Sequence, residues 1–201
     1  MIPVALQPEP RTFAARVRNP GRAFLRKTPH PTKDEWKKAN FWMACLPDLR
    51  SAYKNVCAYC CFWVPMDSSV DHFHPKSAYP NQAYEWNNFR LAHQKINGYK
   101  ANKTGILDPL SIQAGWFIID FANSHVKPNP TTSVAVQNSV LHTITVLRLN
   151  SDDVLVQTRF SLVRSYSKGN IDMAFLEEYY PFIAAELTRQ GLQDSIKGAI
   201  P

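Results

Sequence analysis

Four side chains near the middle of the chain have the types and the spacing that hydrolysis of a phosphodiester bond requires. Asp71 and His72 are adjacent, Asn88 lies 16 residues after His72, and Asn97 follows nine residues later. A neutral imidazole can take a proton from water near neutral pH, so His72 is the natural general base. Mg²⁺ prefers oxygen ligands and keeps several of its waters, so the carboxylate of Asp71 and the amide oxygen of Asn97 can hold it. The pattern predicts a hydrolase that depends on Mg²⁺ or Mn²⁺.

This segment resembles the ββα-metal, or HNH, endonucleases. The resemblance covers residues 57–103 and is carried by Val70-Asp-His-Phe-His-Pro-Lys-Ser77, Asn88-Phe-Arg-Leu91 and Asn97-Gly-Tyr-Lys100. It implies an antiparallel hairpin followed by a helix, with an asparagine that holds the loop which orients His72. Asn87 and Asn88 both fit that role, and alignment on Leu91 favours Asn88.

A wider set of segments is similar to stand-alone bacterial HNH proteins. It includes Cys57-Ala-Tyr-Cys60, Leu107-Asp-Pro-Leu110 and Gly115-Trp-Phe117. Some of those proteins are the nuclease component of Septu-type and retron-type anti-phage systems, beside an ATPase. The resemblance therefore implies an effector of antiviral defence with an ATPase partner. The chain has no P-loop and only seven glycines, so any ATP dependence has to come from that partner.

Positive charge is concentrated in the half of the chain that carries the motif. Residues 1–104 have a net charge of +9, whereas residues 105–201 have a net charge of −2. Such an asymmetry favours contact with a polyanion and needs no sequence readout. The candidate contacts with nucleic acid are Lys76, Arg90, Lys95 and Lys100.

The cysteines raise the question of a structural zinc. Cys57 and Cys60 have the spacing of a zinc knuckle, and His93 and Ile96 occupy the positions of a second pair. Isoleucine cannot bind a metal, so only Cys57, Cys60 and His93 remain, and a structural zinc needs four ligands. We therefore expect no structural zinc, and we expect Cys57, Cys60 and Cys61 to be buried thiols. Reduced thiols and the lack of a signal peptide predict a cytoplasmic protein without a membrane anchor.

The pattern of apolar residues predicts an α+β fold that is mostly helical, with an embedded ββα-metal core. Three segments are expected to form one compact unit: a basic N-terminal arm with helices at 1–56, the nuclease core at 57–104 and a helical scaffold at 105–201. The six prolines of residues 1–32 predict an extended arm. Thr32 and Glu35 predict a capped helix that runs to about Cys45, and a short strand is expected at 62–64. Helices are expected around 140–147 and 151–166, and Pro181 should break the last helix.

Two further interpretations remain open at this point. The HNH core can be structural, in a non-catalytic subunit that binds nucleic acid or supports assembly. The same core can also serve an RNase toxin, because water attacks the phosphorus and the 2′-hydroxyl is not required. DNA is favoured as the substrate.

Overall fold

The computed structural model describes residues 1–198, which divide into two compact units. The hairpin unit consists of residues 5–57 and 64–104, and the C-terminal unit consists of residues 1–4, 58–63 and the chain from Gly105 onward. The α+β class is confirmed, since both units combine helices with one small antiparallel sheet. The boundary expected near residue 104 coincides with an edge between units. The N-terminal segment, however, packs with the hairpin in one unit, and the chain forms two units where we expected one.

The extended arm expected over residues 1–32 is wrong for its second half: residues 1–10 have no regular secondary structure, but the chain is helical from residue 13 to residue 27. A π-helical stretch at Ala14–Arg18 leads directly into α1 (Asn19–Lys27). Pro20 lies in the first turn of α1, where its missing N–H is harmless. The π-helical stretch buries Val17, and α1 presents Gly21 to the ring of Tyr84, where a Cβ at Gly21 would lie only 2.1 Å from Tyr84 Cγ.

The next segment begins as predicted and then departs from the prediction. Helix α2 (Lys33–Lys38) opens with a complete capping box between Thr32 and Glu35. It stops at Lys38 instead of continuing to Cys45, and a 3-10 helix (Phe41–Cys45) follows before α3 (Leu46–Ala52). After this change of helix type, the ring centres of Trp36 and Trp42 lie 6.1 Å apart in the core.

The hairpin and the helix that follows it occur in the expected order. Strand β1 (Ser68–His72) pairs antiparallel with β2 (Phe89–His93), in the register Val70 opposite Leu91 and His72 opposite Phe89. Helix α4 (Gln94–Lys100) follows β2 without a break. The core beneath the hairpin is rich in aromatic residues: Phe13, Trp36, Trp42, Tyr84, Trp86 and Phe89.

The C-terminal unit has a second small sheet and the four helices that complete the described chain. Strand β3 (Phe117–Asp120) pairs antiparallel with β4 (His125–Pro128). Helices α5 (Val134–Val146) and α6 (Asp153–Ser167) confirm the predictions for those segments. The last helical segment is interrupted between α7 (Met173–Tyr179) and α8 (Pro181–Arg189), as expected from Pro181.

Residues 1–198 contain neither the short strand expected at residues 62–64 nor a helix that could span a membrane. Residues 62–64 form no strand; instead, the backbone N–H of Trp63 donates to the carbonyl of Tyr179, within the C-terminal unit. Over the same residues, no helix is both long and apolar enough to cross a bilayer.

Candidate active site

The hairpin, the loop after β1 and α4 bring four of the predicted site residues to one small cavity. The cavity has a volume of about 270 Å³, and its lining includes Asp71, His72 and Asn97 together with Trp42 and Lys76. Asp71 and His72 come from the end of β1, and Asn97 comes from the middle of α4. The spacing in sequence thus corresponds to a common location in the hairpin unit.

The imidazole of His72 is held in one orientation by a backbone carbonyl. Its Nε2 lies 2.9 Å from the carbonyl oxygen of Ala83, and the ring packs edge-on against Trp42 and Phe89. A carbonyl oxygen only accepts hydrogen bonds, so Nε2 carries the proton and Nδ1 is the basic nitrogen. This is the tautomer that a general base requires.

Burial keeps His72 neutral. The pKa of His72 is lowered to about 3, chiefly by loss of solvation and in addition by the positive charges of Lys76 and Lys100, while the hydrogen bond with Ala83 opposes them. The imidazole can therefore accept a proton at neutral pH, although its affinity for that proton is low in the free protein.

Asp71 is fixed by an ion pair inside the unit. The ammonium of Lys100 lies 2.9 Å from Asp71 Oδ1 and donates a second hydrogen bond to the carbonyl of His72 at 2.6 Å. The side chain of Lys100 is fully buried. Its expected role as a phosphate contact therefore does not fit its position, because a buried ammonium with two protein acceptors cannot reach a nucleic-acid strand. Lys100 instead orients the carboxylate and the end of β1.

Asn97 is oriented by two hydrogen bonds from its amide nitrogen. Nδ2 donates to Ser69 Oγ at 3.0 Å and to the carbonyl of Val70 at 3.3 Å. Since the carbonyl of Val70 accepts only, the nitrogen must face β1, and Oδ1 is the amide atom that could ligate a metal. An amide oxygen and a carboxylate that line the same cavity are a donor set that suits Mg²⁺ or Mn²⁺, so the residues present fit such an ion.

Asn88 joins the two ends of the loop that follows β1. Its Oδ1 accepts from the backbone N–H of His74 at 2.7 Å, and its Nδ2 donates to the carbonyls of His74 and Gln82, both at 3.0 Å. Gln82 precedes Ala83, whose carbonyl holds His72. Asn88 thus holds together the loop whose residue Ala83 contacts the imidazole of His72. The neighbouring Asn87 is exposed and contributes its carbonyl to Arg90.

The remaining candidates for contact with nucleic acid differ in exposure. Arg90 is only 3% exposed, donates to the carbonyls of Asn87 and Phe89, and lies over the ring of Phe73. Its guanidinium therefore supports the loop, which does not fit direct contact with phosphate. Lys95 is exposed at the start of α4. Lys76 is half-buried, with Nζ 5.0 Å from the centre of the Trp42 ring, and burial lowers its pKa.

Two of the three zinc candidates take part in hydrogen bonds at the start of α4. The side chain of His93 caps α4 by accepting from the backbone N–H of Lys95, and the backbone N–H of His93 donates to Cys57 Sγ at 3.3 Å. Cys60 belongs to the C-terminal unit, and Cys57, Cys60 and Cys61 are all buried. Within residues 1–198, no three His, Cys, Asp or Glu side chains form a group that could hold a metal. The pair of Asp71 and Asn97 includes an amide and is a different kind of donor set.

Two parts of the site, Trp42 and Ala83, belong to no recognisable pattern in the sequence. Trp42 packs its ring 4.8 Å from that of His72 and also contacts Lys76, although it lies 30 residues before His72. Ala83 acts through its backbone carbonyl, which any residue type would supply.

Comparison of the chain with protein-family models gave no match, and comparison with curated proteins gave none.

Proposed function

We propose that this protein is a metal-dependent endonuclease of the HNH type that hydrolyses phosphodiester bonds in nucleic acid, with DNA favoured over RNA. The observation that carries the proposal is the convergence of Asp71, His72 and Asn97 on one cavity, with the proton of His72 held on Nε2 by Ala83. A base, a carboxylate and an amide oxygen at one site form the minimum set for this reaction.

Each residue has a defined role in the proposed reaction. His72 Nδ1 takes the proton of the attacking water, and Asn88 keeps His72 in place through the loop that contains Ala83. Asp71 and Asn97 would hold Mg²⁺ or Mn²⁺, which supplies charge stabilisation at the phosphate when it is bound. Lys100 fixes the carboxylate of Asp71, and Lys76 faces the phosphate from the wall of the cavity.

The low pKa of His72 fits a base that becomes effective only with substrate present. Two of the three effects that lower this pKa are the positive charges of Lys76 and Lys100. A phosphodiester anion in the cavity offsets those charges and raises the affinity of the imidazole for a proton. A general base works best when its pKa lies near the working pH, so substrate binding improves the base.

The test compares cleavage by the wild type and by His72→Ala on plasmid DNA and on structured RNA, with Mg²⁺ and with chelator. His74→Ala is the matched control, since His74 is exposed and does not line the cavity. Loss of the base should lower the rate by roughly 10²–10⁴-fold, while binding of the same DNA, measured by fluorescence anisotropy with chelator, stays within about threefold.

The outcomes separate the open interpretations. A wild type that binds nucleic acid but cleaves neither substrate would support a non-catalytic subunit. Cleavage of RNA alone would support the toxin-like RNase. An effect of His74→Ala as large as that of His72→Ala would overturn the assignment of the base.

A role in anti-phage defence with an ATPase partner belongs to the same proposal and is supported by the resemblance to defence nucleases. Its test is co-expression with an ATPase encoded beside this protein, followed by co-purification and a cleavage assay with and without ATP. Cleavage that neither needs nor responds to the ATPase would favour a nuclease that works alone, which is compatible with the proposed cytoplasmic location.

A further inference from the structure

A second cavity adjoins the candidate active site within the hairpin unit. It has a volume of about 490 Å³ and is lined by residues of α2 and by the loop after β1. Trp42, Lys76 and Asn102 line both cavities, so the two share a wall. Lys76 and Ser77 of this lining belong to the HNH motif, whereas Lys33 and Lys37 of α2 lie outside it and precede Asp71 by more than 30 residues.

The lining of the second cavity is positively charged. Lys33, Lys37 and Lys76 contribute three ammonium groups, and within residues 1–198 no side chain that lines this cavity is Asp or Glu. One carboxylate outside the lining, that of Asp34, pairs with Lys37 at 2.8 Å, and both partners are mostly exposed. The charge of the lysines is therefore only partly balanced by the protein.

The half-buried Lys76 connects the two cavities. Its ammonium lies against the face of Trp42, where the ring attracts the cation, and Ser77 beside it adds a hydroxyl donor. An apolar ligand would remove solvent from these ammonium groups without giving them a partner, which is unfavourable. A phosphate oxygen gives each of them an acceptor.

We propose that the cavity bounded by Lys33, Lys37 and Lys76 binds a backbone phosphate of the nucleic-acid strand next to the phosphodiester that is cleaved. This inference rests on the proposed function, because the active-site cavity defines which phosphate is cleaved. The substrate is then a nucleic-acid strand that passes over Trp42 and places one phosphate in each cavity. A single nucleotide or an isolated diester fills only one cavity and is a poor substrate.

The experiment uses two double variants of the full chain with equal loss of charge. Lys33→Gln/Lys37→Gln removes two cavity lysines, and Lys27→Gln/Lys38→Gln removes two exposed lysines of α1 and α2 that do not line the cavity. All four side chains are exposed, so folding is not at risk in either variant. The probe is a fluorescein-labelled 20-nucleotide DNA, single-stranded and duplex, with binding measured in chelator and cleavage measured in Mg²⁺.

The cavity variant should weaken binding roughly 10-fold at low salt and reduce the slope of log Kd against log salt by about 1 to 2, as expected for the loss of one or two phosphate contacts. The control variant should change Kd by less than about threefold. A second arm neutralises one phosphate at a time as a methylphosphonate. One linkage beside the cut should matter for the wild type and no longer matter for Lys33→Gln/Lys37→Gln.

Each alternative result has a distinct meaning. Equal effects of the two double variants would overturn the subsite, since net charge alone would then explain binding. A wild type that binds but never cleaves, with binding still weakened only in the cavity variant, would leave the subsite standing and remove the proposed nuclease activity. Competition by a poly-glutamate peptide as strong as that by DNA would show that the cavity serves an acidic protein and would overturn the proposal.

Discussion

Replacing Lys100 with methionine should destabilise the hairpin unit far more than the removal of a surface charge does. In the folded protein the Lys100 side chain is 0% exposed and that of Asp71 is 2% exposed, with 2.9 Å between Nζ and Oδ1. Methionine fills a similar volume but leaves the carboxylate inside the unit without its ammonium. Removing one partner of a buried ion pair typically costs about 3–5 kcal/mol. The carbonyl of His72 also loses its donor.

The assay is urea denaturation followed by tryptophan fluorescence, because Trp36, Trp42 and Trp86 all belong to the hairpin unit. The expected loss corresponds to a shift of the midpoint by roughly 2 M urea. Lys37→Met is the matched control, because it breaks an exposed pair with Asp34 and should cost less than about 1 kcal/mol. Asp71→Asn added to Lys100→Met should restore part of the stability, since no buried charge is then left without a counter-ion. A Lys100→Met protein as stable as the control would refute this account of the pair.

Two further predictions concern stability alone. Because burial holds the pKa of His72 near 3 while the unfolded chain titrates near 6.5, only the unfolded state gains this proton as the pH falls below 6.5. Stability that is present above pH 6.5 is therefore lost between pH 6.5 and 3, at up to about 1.4 kcal/mol per pH unit. His72→Gln should lack this dependence when the free energy of unfolding is measured by urea titration at pH 7 and at pH 5.5. An equal change in this free energy between the two pH values for the wild type and for His72→Gln would contradict the prediction. Gly21→Ala should cost roughly 1–3 kcal/mol, because its Cβ would lie 2.1 Å from Tyr84 Cγ. Gly98→Ala, with no atom within 4 Å of the new Cβ, should be neutral or stabilising in thermal denaturation, and equal losses for the two would argue against the close packing at Gly21.

The elements that follow from local sequence were predictable, whereas those set by distant packing were not. The capping box at Thr32 and the break at Pro181 depend on neighbouring residues only, and both are present. The prolines of the N-terminal segment suggested an extended chain. Pro20, however, lies in the first turn of a helix, and the buried residues Phe13, Val17 and Gly21 recur at four-residue intervals through the π-helical stretch and α1.

The candidate site shows the same division. The spacing of Asp71, His72 and Asn97 sufficed to predict that they come together, because a hairpin and the helix after it fix their positions. Lysine and arginine are usually exposed, so sequence gave no reason to expect Arg90 at 3% exposure or Lys100 at 0%. Their burial depends on partners, namely Asp71 and several backbone carbonyls, that only the folded chain supplies.

The path of the chain between the two units bears on how such a protein can evolve. Residues 58–63 leave the hairpin unit, join the C-terminal unit and return before β1. Ala58, Tyr59 and Phe62 in this excursion are buried, so a fragment cut at residue 104 would carry them without the unit to which they belong. The segment that carries the HNH-like motif is therefore not an independent unit that recombination can transfer on its own. A gene fusion that keeps residues 58–63 with the rest of their unit has to transfer both units together, and inheritance of the chain as a whole is the expected evolutionary pattern.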